Sequence, residues 1–131
     1  MDSKQLVFNS VECLECGVRL ISHHRHDYRT CQCPNQTMVD GGTSYTRYGG
    51  KDMSKIKGLF IYDDEPFEIV REYAERGGRG EDGDKSLEWI KVKDMSDDYV
   101  LKVIEYGGPI WHLEIMKKEL LYRFNNNISI I

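Results

Sequence analysis

The sequence lacks the long apolar segments that membrane and secreted proteins carry. Its 131 residues contain no apolar run near the roughly 20 residues that a membrane-spanning helix needs. The first ten residues, MDSKQLVFNS, also lack the apolar centre of a signal peptide. We therefore expect a soluble, cytoplasmic protein without membrane contact.

Excess positive charge is also absent. The formal net charge is −4, and residues 1–50 carry five Lys or Arg against five Asp or Glu. The remaining 81 residues carry 13 against 17. Sequence-independent binding to phosphate backbones needs concentrated Lys and Arg. This charge balance therefore argues against a general nucleic-acid-binding protein.

Cysteine is scarce as well, but all four cysteines fall within 21 consecutive residues. They form two close pairs, Cys13 with Cys16 and Cys31 with Cys33. In a reducing compartment, clustered cysteines are more often metal ligands than disulfides. Two pairs on tight turns, separated by a loop of some fourteen residues, predict a ribbon that holds one structural Zn²⁺. Four sulfur ligands leave no coordination position for a catalytic water.

Three histidines beside the cysteines keep other interpretations open. The Cys31–Cys33 spacing is tighter than the usual two-residue spacing, so a histidine could replace one sulfur ligand. His23, His24 and His26 are the candidates, and they could also form a separate surface site. Because no carboxylate cluster accompanies them, a solvated hairpin tip at residues 23–27 is the favoured interpretation. A redox dithiol is the alternative for the cysteines themselves.

Short β-prone runs surround the cysteines and predict the first domain, a zinc ribbon over residues 5–50. Gly17 follows Cys16, where such a turn commonly needs positive φ. Asp40-Gly41-Gly42 is a strong turn signal that ends a short strand.

The second half predicts an α+β lobe over residues 58–124, with the order helix–strand–helix–helix. Residues 58–62 are assigned to it as a buried strand, residues 66–76 as its first helix and residues 79–85 as a surface loop. Ser96 is the predicted N-cap of the next helix. In the last helix, four apolar residues are predicted to share one face: Leu113, Met116, Leu120 and Phe124. The fold class is therefore α+β, with an apolar tail at residues 125–131.

Two surfaces are candidates for binding a partner. The first alternates basic and aromatic residues in the ribbon, which could contact a protein or stack on nucleic-acid bases: Arg25, Tyr28, Arg29, Tyr45, Arg47 and Tyr48. The second combines Trp111 with the apolar tail residues Ile128, Ile130 and Ile131. This second surface could bind a partner protein or a second copy of the chain.

Residues 13–42, from the first cysteine to the VDGG turn, resemble a zinc-ribbon family of uncharacterised function from phages, prophages and their bacterial hosts. Four later segments are similar to the usual companion of that ribbon: residues 66–72 (PFEIVRE), 83–87 (GDKSL), 95–98 (MSDD) and 119–123 (ELLYR). The resemblance implies a small accessory protein in the cytoplasm of an infected bacterium. It implies no known reaction.

Three functions follow in order of preference. The first is a non-catalytic zinc protein that binds and modulates a host or phage protein, such as a defence or transcription factor. The second is a nucleic-acid-binding regulator that acts through the ribbon. The third is a metal-dependent hydrolase that uses His23, His24 and His26.

Overall fold

The computed structural model describes residues 4–79 and 83–131. The chain divides into two compact units, Met1–Glu65 and Pro66–Ile131. Short antiparallel sheets occupy the first unit, and helices dominate the second, so the predicted α+β class is confirmed. Residues 80–82, in the centre of the predicted surface loop, lie outside the described residues.

The first unit consists of two three-stranded antiparallel sheets over the described residues. One sheet has the order β2-β1-β6, and the other has the order β3-β4-β5. Their bounds are β1 Leu6–Cys13, β2 Arg19–Ser22, β3 Arg29–Thr30, β4 Met38–Asp40, β5 Arg47–Gly49 and β6 Ile56–Tyr62. Val11 of β1 and Val39 of β4 are fully buried and form the centre of this unit's core.

Strand β6 corrects the predicted domain boundary. The sequence pattern predicts that residues 58–62 belong to the second lobe, but β6 pairs with β1 along its length, from Leu6 opposite Tyr62 to Cys13 opposite Ile56. This strand is therefore part of the first unit, which continues to Glu65. The local pattern identified a strand but could not identify its partner, because pairing across some 45 residues is set by tertiary packing.

Asn9 in β1 links the two sheets of the first unit. Its buried side-chain amide donates to the backbone oxygens of Asp40, Gly42 and Tyr45 at 3.2, 3.0 and 3.1 Å. Its side-chain oxygen accepts a hydrogen bond of 2.8 Å from the Thr46 hydroxyl. These bonds satisfy the backbone of the turn between β4 and β5, where Gly41 and Gly42 have φ of +112° and +55°.

The predicted hairpin tip at residues 23–27 is wrong. Strand β2 pairs with β1 whereas β3 pairs with β4, so this segment connects the two sheets. Asp27 is 7% exposed, and its carboxylate accepts hydrogen bonds of 2.8 Å from the His23 N–H and from Arg29 Nε. Burial opposes ionisation, but these two partners outweigh it and hold the pKa of Asp27 below its usual range.

The second unit contains three helices and a two-stranded antiparallel sheet among its described residues. The elements are α1 Phe67–Tyr73, β7 Glu75–Gly78, β8 Glu88–Lys91, α2 Asp97–Tyr106 and α3 Ile110–Asn125. The Ser96 side chain accepts a hydrogen bond from the Tyr99 N–H, so the predicted N-cap of α2 is confirmed. Strand β7 corrects the predicted order, because Glu75 and Arg76, which fall in the predicted first helix, pair with Lys91 and Ile90 of β8.

A buried ionic network ties α3 to the rest of this unit. Glu119 is fully buried, and its carboxylate accepts hydrogen bonds from Arg71 Nε at 2.8 Å and from Arg123 Nε at 2.6 Å. Arg123 also donates to Asp97 Oδ1 at 2.6 Å and to the backbone oxygen of Met95 at 2.8 Å. The bond to Arg123 holds the pKa of Asp97 below its usual range. Every charge in this network is compensated, so its role is to fix the packing of the helices.

This network also corrects the predicted core face of α3. Phe124 belongs to the predicted apolar face but is 80% exposed. The buried face contains Ile115 and Met116 together with Glu119 and Arg123. The helix is thus rotated away from the orientation that apolar residues alone predict, because it brings the two charged side chains to their partners.

The apolar tail folds back onto its own unit. The Asp97 N–H donates to the Ile130 backbone oxygen at 2.8 Å, and the Ser129 hydroxyl donates to Asp97 Oδ2 at 3.1 Å. Ile128 and Ile130 are half-buried and Ile131 is exposed. The tail therefore caps the start of α2, where the first backbone N–H groups lack partners within the helix.

Candidate metal centre

The four cysteines converge at one end of the first unit. Cys13 is the last residue of β1, and Cys31 directly follows β3. Cys16 lies on the turn that follows Cys13, and Cys33 lies on the turn that follows Cys31. All four Sγ atoms are within 4.8 Å of one another.

Backbone hydrogen bonds shape the first turn. The Gly17 N–H donates to the Cys13 oxygen at 2.7 Å, and the Cys13 N–H donates to the Val18 oxygen at 2.9 Å. Gly17 has φ of +79°, so the predicted positive φ is confirmed. The neighbouring Leu14 N–H donates to the Lys55 oxygen at 2.8 Å, which attaches the turn to the segment before β6.

The second turn is closed in a similar way. The Cys31 N–H donates to the Thr37 oxygen at 3.0 Å, and the Gln36 N–H donates to the Cys33 oxygen at 3.0 Å. Gln36 has φ of +51°, which is uncommon for a residue with a side chain. The compact Cys31–Cys33 pair therefore lies on a tight turn, as the sequence predicts, and this turn includes a left-handed Gln36.

The sulfur spacing suits a tetrahedral metal. Cys33 Sγ lies 3.5 Å from Cys13 Sγ and 3.3 Å from Cys31 Sγ. In a tetrahedron with Zn–S bonds of about 2.3 Å, neighbouring sulfur atoms are about 3.8 Å apart. Small outward shifts of the thiols would accommodate the ion, and no histidine is needed to complete four ligands. The four sulfur atoms could therefore hold one metal ion.

The cluster is unevenly buried, and the thiols differ in acidity. Cys13 and Cys31 are buried, Cys33 is half-buried and Cys16 is exposed. Hydrogen bonding by the Thr37 side chain, with help from the Cys16 backbone, lowers the pKa of Cys13 to about 6. Burial and the Cys31 thiol raise the pKa of Cys33 to about 12. Four sulfur atoms this close cannot all ionise without a cation, so the geometry favours metal binding.

The side chains of His24 and His26 have contacts away from the cysteines. His26 has φ of +66°, and its Nδ1 lies 3.0 Å from the Tyr45 hydroxyl. His24 Nε2 lies 3.9 Å from Asp27 Oδ1. Among the described residues, the group of ligands placed closely enough to hold a metal is the four cysteines, and it includes no histidine.

The basic-aromatic surface has two of its three arginines engaged. Arg29 Nε donates to Asp27 at 2.8 Å, and Arg47 donates to Asp40 Oδ2 at 2.9 Å. Both partner carboxylates are buried. These arginines therefore compensate internal charge, which reduces the positive field available to a phosphate backbone.

Aromatic rings on the same surface remain accessible. Tyr28 is 53% exposed and Tyr48 is 41% exposed, although the Tyr48 ring also packs against Phe60 with centroids 5.1 Å apart. Arg25, three residues before Tyr28, is also exposed. In the second unit, Trp111 is half-buried, with its ring edge-on to His112.

Comparison with known proteins adds one finding. A family model described as a domain of unknown function (DUF7695) matches residues 5–50, about a third of the chain. This region contains all four cysteines but ends before β6. No curated protein and no solved structure matches the chain.

Within the described part of the chain, every helix is too short or too polar to cross a membrane.

Proposed function

We propose that the protein is a small, phage-type accessory protein in which one zinc ion holds the first unit together, and that it binds and modulates a host or phage protein without catalysis. The convergence of four cysteine Sγ atoms within 4.8 Å carries this proposal. A metal with four sulfur ligands has no free position for water or substrate. Its contribution is then to stability rather than to chemistry.

The short strands explain why a metal is needed. Strand β3 has two residues, and β4 and β5 have three each. Such a sheet buries little apolar area, and small units of this kind commonly depend on a metal for their stability. The site lies where β1 ends and β3 ends, so one ion would hold both sheets of the unit in place.

The partner surface is placed on the segment between the sheets and on its neighbours. Tyr28 and Tyr48 offer exposed aromatic area, and the exposed Arg25 offers a positive charge. Tyrosine and arginine are enriched among the residues that contribute most to protein–protein affinity. With Arg29 and Arg47 already paired, this surface suits a protein better than a nucleic acid.

The metal half of the proposal is tested by metal analysis of the purified protein. We expect one zinc per chain, retained through gel filtration and lost to a strong chelator together with the fold of the first unit. A folded, metal-free protein would overturn this half.

The partner half is tested by affinity capture from bacterial lysate with quantitative mass spectrometry. We compare wild type with Tyr28→Ala and Arg25→Ala, and use Tyr106→Ala as the matched control because Tyr106 is 85% exposed in the other unit. A protein captured by wild type and the control but lost from both ribbon variants supports the proposal. Equal capture by all four proteins, or capture of nucleic acid alone, contradicts it.

A further inference from the structure

Helix α3 carries an exposed stripe that the proposed function does not use. Five residues follow one another at alternating spacings of four and three: Ile110, Glu114, Lys117, Leu121 and Phe124. At 3.6 residues per turn, they fall within a sector of about 80° on the helix surface. All five are exposed, and they lie opposite the buried face that contains Glu119 and Arg123. We call these five residues the outer stripe.

The ends of the outer stripe are apolar. Ile110 is 77% exposed, Leu121 is 60% exposed and Phe124 is 80% exposed. Three large apolar side chains in one row on a helix indicate an interaction surface, because their contact with water is unfavourable and burial against a second surface would remove it. The five residues of the outer stripe have an average spacing of 3.5 residues, which is the repeat of a coiled-coil seam.

The centre of the outer stripe is charged and has the symmetry of a self-complementary contact. Neither Glu114 nor Lys117 forms an ion pair with another described residue of the chain. When two copies of α3 run antiparallel about a two-fold axis between residues 115 and 116, Glu114 of each copy faces Lys117 of the other. The same register places Ile110 opposite Leu121. A single two-fold rotation therefore pairs both the charged and the apolar residues of the outer stripe.

From this complementarity we infer that α3 mediates an antiparallel homodimer through the outer stripe. A parallel pair would place Glu114 against Glu114 and Lys117 against Lys117, which is repulsive. The two central ion pairs thus fix orientation and register, as polar residues within a seam commonly do.

The connection between α2 and α3 leaves room for the last residue of the stripe. In the antiparallel register, Phe124 lies opposite position 107 of the second copy. Gly107 and Gly108 occupy this connection, and a Cβ atom placed at either would meet no other atom within 4 Å. The Phe124 ring would therefore pack against an open, glycine-lined surface.

The first test is the mass of the intact protein by analytical ultracentrifugation over a wide concentration range. We expect reversible association to twice the chain mass of 15.3 kDa. Leu121→Ser together with Phe124→Ser is expected to leave only the monomer. A wild-type protein that stays monomeric up to about 0.5 mM overturns the inference, because a dissociation constant above that concentration is too weak for a specific dimer.

Charge exchange then distinguishes this register from any other dimer. Glu114→Lys and Lys117→Glu alone are each expected to raise the dissociation constant about tenfold or more, because each places like charges in contact twice. The double variant, with both exchanges in one chain, should recover the wild-type constant. An equimolar mixture of the two single variants should form a heterodimer, since every pair is then complementary.

Glu105→Lys is the matched control, since it makes the same charge change at an exposed position of α2. It should leave the dissociation constant unchanged. Single variants that dimerise like wild type, or a double variant that stays monomeric, overturn the inference. Circular dichroism of each variant verifies that the helices are intact.

Discussion

The Sγ atoms of Cys13 and Cys33 lie 3.5 Å apart although the two residues are 20 positions apart in the sequence. The contact brings the end of β1 against the turn that follows β3. These two strands belong to different sheets, so the cysteine cluster joins the two layers of the first unit. A bound metal would therefore stabilise the arrangement of the sheets as well as the turns.

Replacement of Cys13 by serine should remove both the metal and the stability of this unit. We expect Cys13→Ser to lose its bound zinc and to be destabilised by at least about 3 kcal/mol, which lowers Tm by about 10 °C or more for a unit of this size. Metal content by mass spectrometry and thermal unfolding by far-ultraviolet circular dichroism measure the two effects. His24→Ala is the control, and we expect it to retain one zinc. A His24→Ala protein as depleted in zinc as Cys13→Ser would assign the fourth ligand to a histidine.

The Glu119 network should be sensitive to the loss of a single charge. Glu119→Gln leaves Arg71 and Arg123 facing a neutral amide in a buried position, and we expect a loss of about 3 kcal/mol in the free energy of unfolding. Both tryptophans, Trp89 and Trp111, belong to the second unit, so urea unfolding followed by tryptophan fluorescence reports on this unit alone.

Glu105→Gln makes the same chemical change at an exposed position of α2 and provides the control. It should change the free energy of unfolding by less than about 0.5 kcal/mol. If the two variants lose equal stability, the buried network does not contribute as its geometry indicates.

Local sequence patterns predicted the features that depend on neighbouring residues. The Gly17 turn, the Asp40-Gly41-Gly42 turn and the Ser96 cap each follow from chemistry within a few positions. The cysteine spacing also predicted which four side chains would meet. The ligands of such a metal site lie on short segments with characteristic spacings, so the site can be predicted from the sequence alone.

The features that the sequence did not predict depend on distant partners. Strand β6 looked like part of the second lobe because its pairing with β1 spans about 45 residues of intervening chain. Phe124 looked like a core residue because α3 was assumed to bury its apolar positions. The buried face of α3 is set by ion pairs with residues of other elements. Arg71 pairs with Glu119, and Asp97 pairs with Arg123. Periodicity reports hydrophobicity and cannot show which charged side chains find buried partners.

Buried His112 should make the second unit sensitive to acid. Burial, together with the positive charge of Arg76, lowers the pKa of His112 from 6.5 to about 4. Arg76 Nη1 lies 3.3 Å from His112 Nε2, so the arginine donates to a neutral ring. Below about pH 6.5 the unfolded chain binds a proton that the folded chain does not, so stability is complete above that pH and falls as the pH decreases towards 4.

The contribution of His112 is at most about 3 kcal/mol across this window. His112→Gln removes the titration, and its free energy of unfolding should decline less steeply between pH 7 and pH 4.5 than that of wild type. Midpoints of urea unfolding by tryptophan fluorescence give the comparison, and parallel slopes for wild type and His112→Gln would contradict the assignment.

The turn between β4 and β5 should tolerate no side chain at Gly42. This residue has φ of +55°, and a Cβ atom there would overlap the backbone of His24. Gly17 also has positive φ, +79°, but a Cβ atom at that position meets nothing within 4 Å. Gly17→Ala therefore carries only the backbone cost of about 1–2 kcal/mol, whereas Gly42→Ala adds a steric overlap.

We expect Gly42→Ala to lose at least about 2 kcal/mol more than Gly17→Ala, because backbone atoms cannot move aside as a flexible side chain can. Far-ultraviolet circular dichroism of the zinc-loaded proteins in urea measures this difference. Metal content should stay at one zinc per chain for Gly17→Ala and fall for Gly42→Ala, since the overlap displaces the segment that joins β2 to β3. Equal stability of the two variants would mean that residues 23–27 can move away from the turn without disturbing the cysteine cluster.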